Sequence, residues 1–510
     1  MKYFLLMLCL LCCYSLNGQV FFQKIYRTSL SGAFFSCNNV FKTDSGGYII
    51  SGNKGFSMGG VHAALVKIDS LGNHVWDKVY ESVDGYTTTA SMIQDGDSSY
   101  IMACCRSFGD DRLTLIKTNS EGEIMWSTIY IDSTHEIYPS KIQKSSDGNF
   151  ILLFDRILGG IGDAGMLKFD GSGNILWSHI YPDTYCGDFI VFDNGEIVLG
   201  NIYGGAALPF YTALIKIDAN GNFLWRKGYN FPHSSTGARF PICKTSDNSI
   251  LIAPRTDSTD AGNAINALVK LDSAGDVLWS YNYLGSGNLN VIKLLPDGGF
   301  LLGGSYANDA LVYSVDSIGN IEMSKVYGDG SHYENLQDIV MDSDKGFLMI
   351  SNRDSTVWPS TSNINIVKAD STGYSGCNEA LRSMVKTTYT TTSWNLGLVV
   401  DTLALTPDSI SFNIMSDGNM STICESIGIE EQFFSPVVIY PNPTTGLFKL
   451  EFNGTVLKIQ IFNMLGEIVL HEEASGKNEI QIDISKNPPG IYFVRISSGE
   501  KIFSRKVIKQ

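Results

Sequence analysis

Residues 64–80, ALVKIDSLGNHVWDKVY, read as a strand, a tight turn and a second strand. The apolar run Ala64-Leu-Val stops at Asp69-Ser-Leu-Gly-Asn73, whose Asp, Gly and Asn are turn formers, and a β-prone run resumes through Val75-Trp76. The unit recurs at Thr114–Tyr130, Gly165–Tyr181, Ala213–Tyr229, Ala267–Tyr283 and, degraded, Ala310–Tyr327. Five copies keep Lys nine residues before Trp and Tyr four after it, and successive Trp positions lie 50, 51, 48 and 54 residues apart. In the sixth copy Met323 takes the Trp place. A seventh starts at Asn365-Ile-Val-Lys-Ala-Asp370 with no second strand behind it.

Upstream of each copy lies an Asp- and Gly-rich turn followed by an apolar run, as in DSGGYIISG from Asp44, DGNFILLF from Asp147 and DGGFLLGG from Asp297. A further short apolar strand precedes each turn. Four strands per period of roughly 40–50 residues is the pattern of a propeller blade, and seven periods predict an all-β, seven-bladed β-propeller over residues 19–376. The missing outer strand of the seventh blade is expected from Phe21-Phe-Gln-Lys-Ile-Tyr26, where Phe22 precedes Tyr26 by the Trp-to-Tyr spacing. That closure by an N-terminal strand would remove an exposed edge. The repeated Trp is read as packing between blades and the repeated Lys as a solvated or locally paired strand charge.

With 51 glycines and 11% aromatic residues, the 510-residue composition fits short strands joined by turns. A formal net charge of -15 disfavours nucleic acid and anionic lipid as partners. Met1–Gly18 has Lys2, an apolar run to Tyr14 and a small polar exit, the layout of an export signal peptide too short for a membrane span. No other stretch is expected to cross a membrane. Cys9, Cys12 and Cys13 fall in that leader; Cys12 and Cys13 lack the preceding small residue of a lipoprotein signal. Seven cysteines remain. Cys377 and Cys424 flank a Ser/Thr-rich stretch and are expected as a disulfide, while Cys37, Cys104, Cys105, Cys186 and Cys243 read as small buried side chains with their pairing open.

Residues 377–426 are read as a disulfide-bounded β segment or structured linker and 427–436 as a linker. Residues 437–510 carry seven short strand patterns, a compact Ig-like β-sandwich. Here Tyr440-Pro441-Asn442-Pro443-Thr-Thr-Gly446, the Gly466 turn, Gly490-Ile-Tyr492 and Lys506-Val-Ile-Lys509 resemble, in family order, the type A C-terminal sorting domain of the bacterial type IX secretion system. The resemblance implies export by the Sec route, recognition by the type IX machinery, and delivery of cargo to the cell surface or medium. Sorting-signal residues under this resemblance are Pro441, Asn442, Pro443, Gly446, Gly466, Gly490, Tyr492, Lys506 and Lys509. The repeats are similar to a bacterial β-propeller repeat family of secreted proteins. They also resemble tryptophan-docking repeats, but the seven-residue step from Asp69 to Trp76 and the seven copies depart from that pattern.

Function is expected where the copies differ. Turns between first and second and between third and fourth strands are uniform, whereas second-to-third and interblade connections vary and share one face. Tyr185, Tyr203, Phe210, Tyr211, Phe231, His233, Arg239, Arg255, Tyr333 and Trp358 are the ligand-binding candidates there, for a glycan, peptide or protein. No nucleophile elbow, zinc helix or phosphate loop is present. No cofactor is expected; calcium is the one alternative, from partial loops at Asp95-Gly-Asp97 and Asp342-Ser-Asp344 that hairpin turns already explain. The seven histidines share no repeat position, which argues against a symmetric metal ring. A surface or released binding module is the favoured reading; a secreted polysaccharide hydrolase or lyase is the alternative, since carboxylates are abundant.

Overall fold

Each Asp-x-x-Gly-Asn turn is built by its own side chains. Asp69 Oδ1 accepts from the backbone N–H of Leu71 at 2.9 Å and of Asn73 at 2.8 Å, and Asn73 Nδ2 donates to Asp69 Oδ2 at 3.0 Å. Gly72 sits at φ 74°, where a side chain is strained, and donates its N–H to Asp69 O at 3.0 Å. The same bonds recur at Asp170, Asp218 and Asp316, and Asn119 substitutes for Asp in the second copy. Local turn chemistry thus fixes the register of every outer hairpin.

The computed structural model describes residues 21–28, 33–56, 60–83, 85–96, 99–107, 111–158, 161–182, 184–203, 211–231, 240–257, 265–342, 346–355, 362–416, 418–426, 438–451, 458–463, 467–472, 479–498 and 501–510. All regular structure among them is β. Two units separate, Val20–Ser426 and Ile427–Gln510.

Among the described residues, seven four-stranded antiparallel sheets make up the first unit, the first and second joined by a parallel bridge at His62↔Thr87 and the fifth extended by Arg255–Asp257. The first runs Phe34–Lys42, Tyr48–Gly55, Val61–Ile68, His74–Ser82; the second Tyr86–Asp95, Ser99–Ser107, Asp111–Asn119, Ile124–Ile131; the third Glu136–Lys144, Phe150–Leu158, Ile161–Phe169, Ile175–Tyr181. The fourth runs Thr184–Val191, Ile197–Tyr203, Tyr211–Ile217, Phe223–Tyr229; the fifth Ile242–Lys244, Ile250–Ile252, Ile265–Leu271, Val277–Leu284; the sixth Asn288–Leu294, Phe300–Tyr306, Asp309–Val315, Ile321–Tyr327. The seventh comprises His332–Met341, Phe347–Ser355 and Ser362–Ala369, and its fourth strand is the N-terminal Phe21–Thr28, paired from Phe22↔Lys368 to Tyr26↔Ile364. Among the described residues, no ladder closes on itself.

The repeated side chains tie each sheet to the next. Tyr80, Tyr181, Tyr229, Tyr283 and Tyr327 donate their hydroxyls to the carbonyls of Gly122, Gly221, Gly275, Gly319 and Gly373 at 2.8, 3.0, 2.8, 2.6 and 2.7 Å, and Tyr130 does so to Gly173. Each acceptor is the turn glycine of the following sheet. Trp126 and Trp177 lie over the same turns and donate Nε1 to Gly171 O and Ala219 O, both at 3.2 Å. The repeated lysines are paired locally: Lys117 with Asp95, Lys168 with Asp147, Lys216 with Glu196 and Lys270 with Asp247, at 2.7–2.8 Å. Phe22 occupies the Trp place of the seventh sheet and packs on Gly72, while the buried Lys24 donates to Leu71 O at 2.7 Å and Asn73 Oδ1 at 3.0 Å.

Residues 379–426 supply a fifth strand to every sheet. Glu379–Leu381 pairs with the sixth sheet, Val385–Thr388 with the fifth, Ser393–Leu396 with the fourth, Asp401–Thr402 with the third, Thr406–Ser409 with the second and Phe412–Met415 with the first. Gly418–Ser426 then pairs along the whole of Phe21–Thr28 in the seventh. The Ser/Thr-rich composition suits strands with one face on the sheets and one in water, and the run covers edges that otherwise invite intermolecular pairing. A Cys377–Cys424 disulfide, Cα–Cα 6.3 Å, joins the start of this run to its end. Cys37, Cys104, Cys105 and Cys243 are free thiols in the core; burial pushes those of Cys104 and Cys105 up to about 12 and keeps them inert at neutral pH. Cys186 lies in a strand of the fourth sheet.

The second unit has a three-stranded sheet, Val438–Tyr440, Leu447–Glu451 and Glu479–Asp483, and a four-stranded one, Ile468–Glu472, Lys458–Phe462, Gly490–Ser498 and Lys501–Lys509. Phe448, Leu450, Ile461, Tyr492, Val494 and Val507 belong to one buried cluster drawn from both.

Candidate functional site

The first strands of all seven sheets meet around a cavity of about 490 Å³. Polar side chains link neighbours across it. Asn39 Oδ1 accepts from Met92 N at 2.9 Å, Ser91 Oγ from Ile142 N at 3.3 Å, and Asp188 Oδ2 from Ile242 N at 3.3 Å. Asn290 Nδ2 donates to Leu336 O at 2.7 Å, and Asp338 Oδ2 accepts from Val40 N at 3.2 Å, which joins the seventh sheet to the first. Lys141 pairs with Asp188 and Lys293 with Asp338, so the lysines of the lining have carboxylate partners.

Of the ligand candidates, Tyr185, Tyr203 and Tyr211 lie on strands of the fourth sheet, where Tyr203 and Tyr211 are direct cross-strand partners, and Arg255 faces Asn266 in the fifth. Phe210, His233, Arg239 and Trp358 lie outside the described residues, as do Gly466 and the expected leader. Phe231 is 1% exposed and stacked between Tyr229 and Tyr389, so this ring is core and has no surface for a ligand. Tyr333 is exposed, on the first strand of the seventh sheet.

Beside Tyr333 is a charge cluster whose inner members, Glu334 and Arg353, are buried. Arg353 Nη1 donates to Glu334 Oε1 and Nη2 to Asp329 Oδ2, both at 2.6 Å, and Nη2 lies 2.7 Å from His332 Nδ1. Glu334 has no exposed surface and its Oε2 is unpaired. Burial pushes its carboxyl up to about 8; Arg353 opposes the shift, and Asp309 and Asp329 reinforce it. Asp329 goes the other way: despite partial burial, hydrogen bonds from Ser331, His332 and Arg353 hold it well below the usual carboxylate range. The third sheet repeats half of this arrangement, with Arg156 Nε donating to Asp132 Oδ2 at 2.6 Å and Thr134 and His135 following Asp132 as Ser331 and His332 follow Asp329. His135 and His332 therefore do share a repeat position, five residues after Tyr130 and Tyr327, which corrects the expectation that no histidines do. Lone histidine spacing hides this; Asp-x-Ser/Thr-His spacing shows it.

A cleft of about 520 Å³ opens between the first and second sheets, lined by Phe56, Gly60, His62, Glu81, Ser82, Gly85, Tyr86 and Met415. His62 is 4% exposed, with Nδ1 buried and unpaired and Nε2 3.9 Å from Glu81 Oε1. Burial lowers its pKa, Glu81 opposing, so the ring is neutral at pH 7. Tyr86 is 50% exposed and lies on Gly60, where a Cβ would come within 1.4 Å of its Cδ1. None of these residues was singled out from sequence: Asn53–His62 is legible as a variable connection, but its partner Tyr86 arrives from the next repeat.

Among the described residues, no group of three or more His, Cys, Asp or Glu is placed to hold a metal ion. Asp95 and Asp342, from the partial calcium loops, are bonded to Lys117 and Lys144 and to Lys42 and Tyr48.

In the second unit several residues expected as the sorting signal bond to or from the C-terminal strand. Asn442 Nδ2 donates to Lys506 O at 2.8 Å and Asn442 Oδ1 accepts from Ile508 N at 2.9 Å. Lys509 Nζ donates to Ser485 O at 2.6 Å and to Asn487 O, and Tyr492 donates to Pro488 O at 2.6 Å. At Gly446 a Cβ would lie 2.5 Å from Ser485 Cα.

Residues 438–510 match the Por_Secre_tail family, described as a secretion system C-terminal sorting domain. That domain implies an exported cargo, secreted or at the cell surface and handled by the type IX machinery. No helix among the described residues is long and apolar enough to cross a membrane. Ulvan lyase NLR42 of Nonlabens ulvanivorans is 30% identical over 119 residues; the chain spans 22% of that relative's length, using 22% of its own. Among solved structures, prolyl oligopeptidase B from Galerina marginata is similar at TM-score 0.41 and 10% identity, over 69% of this chain and 51% of that one. PorZ, a surface component of the type IX system of Porphyromonas gingivalis, is similar at 0.19 and 8%, over 95% and 100%. At those scores neither bears on fold or function.

Proposed function

We propose that this chain, with its C-terminal sorting domain, is a type IX cargo whose seven sheets are the blades of a β-propeller serving as a binding or adhesion module. The observation that carries the propeller reading is the cavity lined by the first strands of all seven sheets, with polar links running between neighbours and from the seventh sheet back to the first. The N-terminal strand completes the seventh blade, and residues 1–18 are the export leader. Ligands, whether glycan, peptide or protein, engage the face carrying the variable connections, where Tyr203, Tyr211, Arg255 and Tyr333 stand. The net charge of -15 disfavours nucleic acid as a partner.

A second reading, a secreted polysaccharide hydrolase or lyase, has the 30% likeness to an ulvan lyase in its favour. Against a role for Glu334 as its acid stands the burial of that carboxyl, since a general acid must reach substrate. Glycan and peptide arrays probed with the full secreted chain, run beside a turnover screen on polysaccharides, separate the two. Saturable binding without product supports the module; turnover lost on substituting carboxylates of the variable face overturns it.

A further inference from the structure

We propose that the cleft between the first and second sheets is a saccharide subsite that takes one neutral pyranose ring, an inference that rests on the binding-module reading. The apolar face of a sugar needs a fixed aromatic surface, and Tyr86 supplies one: half its surface is open and its ring is seated against Gly60, a position no larger residue can share. The hydroxyl edge of a sugar needs closely spaced donors and acceptors that lack a partner. His62 offers this, buried and with Nδ1 unpaired, and Glu81 Oε1 lies 3.9 Å from Nε2 to accept hydroxyl protons.

The same surroundings select among ligands. A cationic side chain would also suit an aromatic ring next to a carboxylate, but Lys54 Nζ already lies 5.1 Å from the Phe56 ring centroid. A second cation is repelled by it. A uronate would set its carboxylate against Glu81. A neutral ring meets neither penalty. Phe56 stands 6.0 Å and Tyr86 6.2 Å from His62, centroid to centroid, which frames the imidazole as the floor between two walls.

The test titrates the full secreted chain with three probe sets, neutral hexose oligosaccharides, uronate-bearing oligosaccharides and lysine-rich peptides, alongside the variants Tyr86→Ala, Glu81→Gln and, at an exposed position of the fourth sheet, Leu224→Ala, each checked for an unchanged melting temperature. The expected result is binding of neutral oligosaccharides that falls at least ten-fold in Tyr86→Ala and several-fold in Glu81→Gln, and is unmoved in Leu224→Ala. Neutral-sugar binding that survives Tyr86→Ala overturns the location while the module reading stands. Loss in Tyr86→Ala of binding confined to uronates or peptides overturns the ligand class, again leaving the module intact. Wild-type protein that binds none of the probe sets overturns the subsite, while the module reading is decided separately by the arrays and the turnover screen on the same chain.

Discussion

Replacing Cys377 and Cys424 together by serine tests what the run along the outer edges contributes. The bond closes a segment of sequence separation 47. Loop-closure entropy for about 47 residues makes that bond worth about 4 kcal/mol through restriction of the unfolded chain. The unit it stabilises, Val20–Ser426, has about 400 residues, so an unfolding entropy of about 2.1 cal/mol/K per residue converts the loss to a fall of about 5 °C in melting temperature. The damage is also directional. Gly418–Ser426 is held by eight ladder pairs, whereas Glu379–Leu381 has three and Leu381 is 85% exposed. Without the bond the Glu379 end should fray first. Calorimetry of the full chain, wild type against the double variant, reads the temperature; trypsin cleavage at Arg382 and Lys386, timed in both, reads the fraying. An unchanged melting temperature in a variant whose wild type is shown by mass spectrometry to carry the bond would refute the entropic account, and early cleavage at the Gly418 end would refute the directional one.

Glu334→Gln should stabilise the protein in a pH-dependent way: the folded carboxyl keeps its proton up to about 8 while the unfolded one ionises near 4.5. The contribution is fully present below 4.5 and lost as pH rises to 8, so the variant gains about 1.4 kcal/mol per pH unit across that window, about 3 kcal/mol at pH 7, and matches wild type at pH 4; thermal melts at pH 4, 5.5, 7 and 8.5 check the slope. Tyr181→Phe removes the hydroxyl bonded to Gly221 O in the next sheet and should cost about 1–2 kcal/mol, and Tyr283→Phe should add to it independently, measured by denaturant melts of the single and double variants. Deleting Val437–Gln510 should retain the chain in the cell envelope, read by fractionation and immunoblotting; normal surface delivery of the truncated chain contradicts the sorting role.

How far the sequence leads depends on whether a signal is repeated or assembled. The turn at Asp69–Asn73 and its copies are legible because Asp, Gly and Asn each perform a local bond, and repetition fixes the register. The fourth strand of the seventh sheet is legible from one spacing, Phe22 to Tyr26. The role of the repeated Tyr is not, because its partner carbonyl lies some forty residues on, in the following turn. Residues 377–426 read as a disulfide-bounded β segment or structured linker, and nothing in its six short strands of two to four residues says which edges they will meet. The His62–Tyr86 cleft is an assembly of residues that no periodicity marks, whereas half of the Arg353 cluster is marked by the Asp-x-Ser/Thr-His spacing shared with Asp132–His135. Phe231 shows the converse: an aromatic residue beside a variable connection reads as surface, yet it stacks into the core.

The seventh sheet also has a consequence for time. Phe22 pairs with Lys368, so the first strand to leave any export channel must wait for the last repeat before it has a neighbour, and Gly418–Ser426 covers its other edge later still. Six sheets can form from neighbouring sequence as it emerges; this one is a contact between strands about 350 residues apart, the slowest kind of pairing to find. Until then Phe21–Thr28 is a strand with both edges bare and Phe22, Ile25 and Tyr26 uncovered, a form prone to pair with another copy. Crowding at the point of emergence, more than any weakness of the finished fold, is therefore what should limit the yield of this protein.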